Sequence, residues 1–483
     1  MEQIKRYTSR TAALTAQTCL RKRYLSNHYA GHGLSPEAID MNLETGTAVH
    51  RGIQHLFEHC RIHHSDGMFE EQCINEAIEF ALKLFRDDIS KHSIALREGE
   101  NNFISFVIAE HECLIEGLIR CFALKRLPSL LEEYEVIEVE NDIIYPEFSE
   151  SIIWQSKADA EFLTRDYSKG VVICSLKTAS EYAENTIRNL LTDMQGNSEW
   201  MAVQAKLDRD FAWYKEKMKH PFSIGNAKLG SAFDEEHEHV LRWCKYFNWC
   251  LANNEEPKVY AVQYEHLITG SWKDYDKSGL RKRQNFLVHP YKYEEQTKFN
   301  IFSQVTTQLI ATPDHYKWKA GPGKQPKGWS KINIWEDMGV KNWVEMLASG
   351  LVQTENGNPL DELIITSDLI FRDRNDGAQL KEWLISTRYQ EEEIFKNLEI
   401  MEQHAEFARK TGKWEQYEIT LMKLFRKETL RCWDYFGKDC EFAKVCHEGF
   451  NLGDLIASNI YVNRTPHHEP EKLYHIERGF INE

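Results

Sequence analysis

Val171–Ser180, VVICSLKTAS, is an apolar run that stops at a lysine. Its length, its β-branched start and the turn-forming RDYSKG (165–170) before it predict a buried strand entered from a hairpin. The partner strand is the run holding KADAEF (157–162). Strand residues two apart share a face, so Asp159 and Glu161 point one way, and so do Ser175 and Lys177 on the neighbouring strand. A lysine ending such a run is costly to bury without a partner, and Asp159 is the nearest candidate. Carboxylates and an ammonium on adjacent strands offer hard oxygen ligands for a divalent cation and a positive charge beside it.

Outward from this hairpin, the first 130 residues read as helical, with apolar residues three and four apart in MNLETGTAVHRGIQHLFEHC and two later stretches. From Glu133 the period shortens through YEVIEVENDIIY and SIIWQS, which predicts a small sheet. Helical patterns return in NSEWMAVQAKLDRDFAWYKEKM and, most clearly, in DGAQLKEWLISTRYQEEEIFKNLEIMEQHAEFARK. The expected organisation is α/β: a helical region 1–130, a core 131–265, a further α/β and helical region 266–425, and a cysteine-bearing end 426–483.

The chain has 483 residues, 42% hydrophobic and 28% charged, which suits a large globular protein and not a disordered or fibrous one. No apolar stretch is long enough for a bilayer span and the N-terminus lacks the order of a signal peptide, so no membrane partner and a cytoplasmic location are expected. The net charge of -16 counts against a uniformly basic surface. A local exception is HYKWKAGPGKQPKGWSKINI (315–334), where Lys317, Lys319, Lys324, Lys327 and Lys331 alternate with Trp318 and Trp329 and no acid intervenes. That combination suits a single-stranded nucleic acid, with lysines along phosphates and aromatic faces under bases; it equally describes a solvated loop.

The order of motifs resembles the RecB-like branch of the PD-(D/E)XK nucleases. In that branch a strand with an acid, here Asp159, precedes a "(D/E)-x-K-T" strand, here Ser175 to Thr178. GTAVH (46–50) is similar to the branch's helical motif with a metal-binding histidine, His50. VIEVENDI (136–143) supplies its preceding acid, Glu140 or else Glu138, and TDMQGNSEW (192–200) its glutamine, Gln195, with Gln204 as the competing match. The resemblance implies a restriction-endonuclease-like core, a small mixed sheet flanked by helices. It implies a DNA nuclease, acting on ends or single strands, that uses Mg2+ or Mn2+ held by His50, Asp159, a neighbouring acid and the backbone carbonyl of Leu176. Lys177 and Gln195 would serve catalysis.

Ser175 departs from the pattern, since the branch has an acid there. Three readings stand. Glu161 replaces it if the hairpin sets it across from Ser175, or Glu140 does; the site is inactive and the chain is a DNA-binding or scaffold subunit; or the serine was introduced.

Eleven cysteines in a chain without a secretion signal point to a metal centre or free thiols, not a disulfide framework. Cys19 in TAQTCLRKRYL and Cys432, Cys440 and Cys446 in RCWDYFGKDCEFAKVC resemble the 4Fe-4S ligands of AddB-like and CRISPR-associated members, although the first gap of C-x7-C-x5-C is longer here. Zinc and unliganded thiols are the alternatives. Cys60, Cys73, Cys113, Cys121, Cys244 and Cys250 fall in helical patterns and are expected to pack. The layout is also similar to nuclease-like proteins of tailed bacteriophages, which implies partners in recombination, replication or packaging.

Overall fold

The predicted hairpin lies inside a seven-stranded mixed sheet with helices on both faces. The computed structural model describes residues 6–63, 71–94, 104–145, 148–149, 151–180, 194–218, 240, 242–270, 272–275, 280–283, 291–292, 317–318, 341, 344–345, 348, 352–353, 358, 360–372, 376–428, 432, 440–448, 455 and 460–479.

Strand β1 (Tyr7–Ser9) leads into helices α1 (Arg10–Thr18) and α2 (Leu20–Asn27), then β2 (Leu34–Pro36). Helices α3 (Met41–His63), α4 (Glu71–Lys91), α5 (Ile104–Cys121) and α6 (Leu127–Glu133) follow. The sheet is continued by β3 (Tyr134–Tyr145), β4 (Ile153–Thr164) and β5 (Val171–Ala179). Helices α7 (Met194–Met218) and α8 (Cys244–Asn253) precede β6 (Val259–Ile268), and β7 (Ile364–Thr366) and β8 (Ile370–Phe371) close the sheet. The C-terminal part holds α9 (Asp376–Thr411), α10 (Glu415–Leu424), α11 (Ala443–Glu448), β9 (Tyr461–Asn463) and α12 (Glu469–Glu477).

β3 and β5 run antiparallel to β4, one on each side. β6 lies parallel to β5, and such a pair needs a crossover, which α7 and α8 provide. β1 differs from the helical reading of the first 130 residues: it pairs in parallel with Ile153–Gln155 of β4. Three residues are too few for a period to show in the sequence. β1 and β5 thus share one edge of β4, at different heights, and leave a fork between them.

Alternation along β5 sorts its side chains. Val172, Cys174 and Leu176 enter a core with α3, α4 and α5, whereas Val171 and Ile173 pack with α7 and α8. Gly46 lets α3 close on the strand, since a Cβ there would meet Thr178 Oγ1 at 2.5 Å. A third core joins α2 to α9, α10 and α11 around Tyr24, Leu25, Tyr417 and Phe425. Beside it the Arg23 guanidinium, 1% exposed, donates to Glu391 at 2.9 Å, and Thr8 Oγ1 donates to the same carboxylate at 2.8 Å. The N-terminal strand and helices are therefore fastened to the C-terminal half by a buried pair whose one-sided loss is expensive. Among the described residues no helix is long and apolar enough to cross a membrane.

Candidate active site at the strand fork

The β4–β5 ladder pairs Leu163 with Val171, Glu161 with Ile173 and Ala160 with Cys174, and then ends. Beyond it Asp159 Oδ2 accepts the Leu176 N–H at 2.6 Å. A carboxylate thus takes the place of a ladder carbonyl where the strands part, and it satisfies a backbone donor that would otherwise be orphaned. Burial raises the Asp159 carboxyl above the usual range, against the opposing pull of Lys177 and the Leu176 bond.

Lys177 lies at the carboxyl end of β5, beside parallel β6, where open sheets of this kind bind ligands. Its ammonium donates to Gln195 Oε1 and stands 5.9 Å from the Tyr264 ring centroid. Gln195, in the first turn of α7, also accepts from Arg10 Nη1 at 3.0 Å and donates through Nε2 to Glu199 at 2.7 Å and to Ser175 Oγ at 3.4 Å. One glutamine therefore spans the lysine, the serine and the N-terminal helix. Gln204 is about two and a half turns along, where it accepts the Val259 N–H at 2.8 Å and donates to the Pro257 carbonyl at 3.0 Å. It shapes the start of β6 and does not reach the fork.

The register corrects one expectation. Glu161 does not face Ser175; it faces Ile173, because the 165–170 turn closes with Thr164 bonded to Gly170 and so sets Leu163 against Val171. Asp159 is the residue at the height of Ser175. Fully buried Glu161 is held instead by Asn141 Nδ2 at 3.0 Å and Lys206 Nζ at 3.5 Å. Glu138 belongs to the same cluster, paired with Arg242 and Lys206.

Glu140 stands opposite Asp159 in the β3–β4 register, with a φ of 53° that turns it out of the regular strand path. Its carboxylate receives Arg51 at 2.9 Å, Gln54 and Lys157. Both glutamates are near the fork, and both are already engaged by cations.

His50 reaches the site from α3. Its Nε2 is sealed from solvent without a hydrogen-bond partner, and its ring feels Lys177, Glu140 and Arg51. Burial first, then Lys177, lowers its pKa to about 4. The ring is neutral above that pH and keeps a lone pair for a ligand. A histidine titration by NMR is expected to show His50 unprotonated at pH 6 and protonating near 4. Since its folded pKa lies below the unfolded value of 6.5, its contribution to stability is intact above 6.5 and is lost as pH falls towards 4.

An orphaned imidazole nitrogen and a half-buried carboxylate suit a divalent ion. Ser175, wholly buried, adds a neutral hydroxyl. Leu176 contributes its N–H to Asp159 and its side chain to the α3 face.

At the far end of the chain Arg21 of α2 bonds the Arg426 carbonyl through its backbone N–H at 3.1 Å and the Phe425 carbonyl through Nε at 2.8 Å. This brings Cys19 to the C-terminal cysteines. The Cys440 N–H donates to the Cys432 carbonyl at 2.9 Å. Burial is the first cause raising the Cys432, Cys440 and Cys446 thiols, the last to about 11, and each of them also feels Cys19. Among the described residues, no three or more His, Cys, Asp or Glu side chains are grouped closely enough to hold a metal ion. Of the six cysteines expected to pack, five are buried and Cys244 is partly so; Cys73 also contacts His59 Nε2 at 3.0 Å. Lys317 and Trp318 form a short strand with Val352–Gln353. Lys319, Lys324, Lys327, Trp329 and Lys331 lie outside the described residues.

Sequence reasoning missed Arg10, Glu199 and Tyr264. The i, i+4 spacing of Gln195 and Glu199 was a usable signal; nothing local announces that Arg10 meets a helix 185 residues away. No known family model, curated protein or solved structure matches the chain.

Proposed function

We propose that the chain is a metal-dependent DNA nuclease with a PD-(D/E)XK core, acting on DNA ends or single strands, with a 4Fe-4S cluster on Cys19, Cys432, Cys440 and Cys446. The observation that carries the reading is the contact of Lys177 with Gln195 beside the partly buried Asp159. Asp159 and His50 would hold Mg2+ or Mn2+, with the Leu176 carbonyl as a further oxygen. When bound, the ion supplies positive charge for the oxygens of the scissile phosphate and lowers the pKa of water. Lys177, oriented by Gln195, holds the attacking water and places its ammonium against the charge that develops on phosphorus oxygens. The support for the cluster is that Cys19 and the three C-terminal cysteines influence one another electrostatically across the chain and none is in a disulfide, although among the described residues their thiols are not grouped closely enough to hold a metal ion. The lysine- and tryptophan-bearing segment 315–334 is assigned to the DNA strand, and proteins of recombination, replication or packaging are the partner class.

A second reading is favoured by one observation: with Glu161 and Glu140 both ion-paired and Ser175 neutral, Asp159, bonded to the Leu176 N–H, is the one carboxylate among these four positions without an ion pair. On that reading the fold binds DNA as a scaffold and does not cut it. The test is cleavage of linear single- and double-stranded DNA in Mg2+ or Mn2+. Activity in the unaltered chain supports the nuclease. Ser175→Asp restores the acid expected at this strand position and is predicted to raise the rate about 100-fold, the scale on which a group at a metal or charge-stabilising site counts. A silent parent protein that gains activity with Ser175→Asp supports the scaffold reading, and a rate unmoved by the change removes Ser175 from the account.

A further inference from the structure

Next to the fork, on the other side of Gln195, is a cleft of about 120 Å³ between the start of α1, the beginning of β4, α7 and the His467–His468 corner that precedes α12. Its cationic and imidazole groups are Arg10, Lys157, His467 and His468, and Glu199 is the acid of the lining. We propose that this cleft receives the phosphate monoester at the end of a nucleic-acid strand. The proposal rests on the nuclease reading for the identity of the strand.

Four features point to a phosphate. Arg10 enters from the first turn of α1, whose N-terminal amides carry partial positive charge; Ser9 caps them by accepting the Ala12 N–H at 3.4 Å. The His468 imidazole is oriented by Asp142, which sits 2.7 Å from Nδ1, so the ring is fixed at the rim. The opposite wall is rigid: Trp154 Nε1 donates to Ser198 Oγ at 3.1 Å, and Ser198 bonds Ser156 at 3.3 Å. Gln155, which also lines the cleft, is 1% exposed and its Oε1 has no hydrogen-bond partner. A buried polar atom left unpaired in this way needs a ligand to explain it.

Gln155 further discriminates between phosphates. A phosphodiester offers acceptors only, whereas a monoester has a second pKa of about 6 and presents a P–OH donor in its monoanion. An unpaired acceptor beside Arg10 and Lys157 suits the monoester. Size agrees: at roughly 10–15 Å³ of such volume per water the cleft holds on the order of ten waters, enough for a phosphate and part of a sugar but not for a duplex. Only a strand end enters. Gln195 forms the shared wall, since its Oε1 receives both Arg10 and Lys177. An end held in the cleft therefore leaves the adjoining backbone at the fork.

The test is fluorescence anisotropy with the full chain in EDTA, so that cutting does not enter. Short single-stranded oligonucleotides carry a 5′-phosphate, a 3′-phosphate or hydroxyls at both ends. One phosphorylated end is expected to bind about tenfold tighter than its hydroxyl counterpart, as charge-assisted hydrogen bonds of this kind provide. The preference is expected to vanish in Arg10→Ala and to shrink in Gln155→Leu, with hydroxyl-ended affinity nearly unchanged and the circular dichroism spectrum retained. Equal affinity for phosphate and hydroxyl ends in the unaltered chain overturns the proposal, as does a preference that survives both substitutions. Inorganic phosphate that binds calorimetrically as tightly as a phosphorylated end, with no preference among oligonucleotides, also overturns it, as a free-anion site only. Cleavage in Mn2+ is read separately: an end preference without cutting leaves the cleft and removes the nuclease, and cutting without a preference does the reverse.

Discussion

On the nuclease reading, Lys177→Ala is expected to abolish Mg2+- or Mn2+-dependent cleavage of linear DNA, with a loss in kcat of about 1,000-fold or more, while the protein stays folded and still binds DNA. The magnitude follows from the place of the ammonium. It lies at the end of β5 within hydrogen-bonding reach of Gln195, and its charge acts on Asp159, His50 and His266. A cation aimed at developing charge in a partly buried site is worth several kcal/mol, and removing one such group typically costs about 100- to 1,000-fold. Loss of the water-positioning role adds to this. The stability cost is small because the side chain is only partly buried and its principal neighbour, Gln195, keeps Arg10, Glu199 and Ser175. Single-turnover cleavage checks the prediction, with anisotropy confirming unchanged DNA affinity. A variant that cuts within tenfold of the parent removes Lys177 from the chemistry.

Cys440→Ser is the second large effect, and it acts on the fold. Purified anaerobically, the parent protein is expected to be brown with a broad visible absorbance; the variant is expected to be colourless. A cluster on Cys19 and the three C-terminal cysteines would cross-link positions more than 400 residues apart, for which the chain-entropy model gives roughly 6 kcal/mol. Without it the junction keeps the Arg21 bonds to the Phe425 and Arg426 carbonyls and the apolar contacts of Tyr24 with Phe425. We expect the melting temperature to fall by about 5 °C or more and limited proteolysis to release the chain's last segment first. Burial raises the Cys432, Cys440 and Cys446 thiols, so the proposed cluster would have to displace their protons on binding. A parent protein that is colourless and contains zinc would replace the cluster with a zinc site and leave the fastening intact.

The hairpin was legible in the sequence because its signals are local. The apolar run, the 165–170 turn and the alternation that sends Asp159 and Lys177 to one side all lie within about twenty residues. The helices of the first 130 residues were legible for the same reason. Register was not. Whether Glu161 or Asp159 faces Ser175 depends on how the turn closes, and a shift of two residues leaves the apolar pattern unchanged. Nor could the pattern reveal that Glu140 and Glu161 are neutralised, since Arg51, Lys157 and Lys206 come from three separate elements. β1 escaped because three residues carry no period, and yet it builds one arm of the fork and, through Ser9 and Arg10, one wall of the adjoining cleft.

The fork also shows why a single missing acid is informative. Asp159 is held by a backbone N–H and His50 by packing alone, so neither depends on Ser175 for its position. On the proposed reading, a serine at position 175 would leave the geometry of the fork in place and act on ion affinity.

The central claim is that Asp159 and His50 hold a divalent ion at the fork. Anomalous diffraction from a crystal soaked in Mn2+ tests it most directly. The account predicts a manganese peak about 2.0–2.4 Å from an Asp159 carboxylate oxygen and from His50 Nε2, with Lys177 alongside. A crystal saturated with Mn2+ that shows no peak at the fork would contradict it.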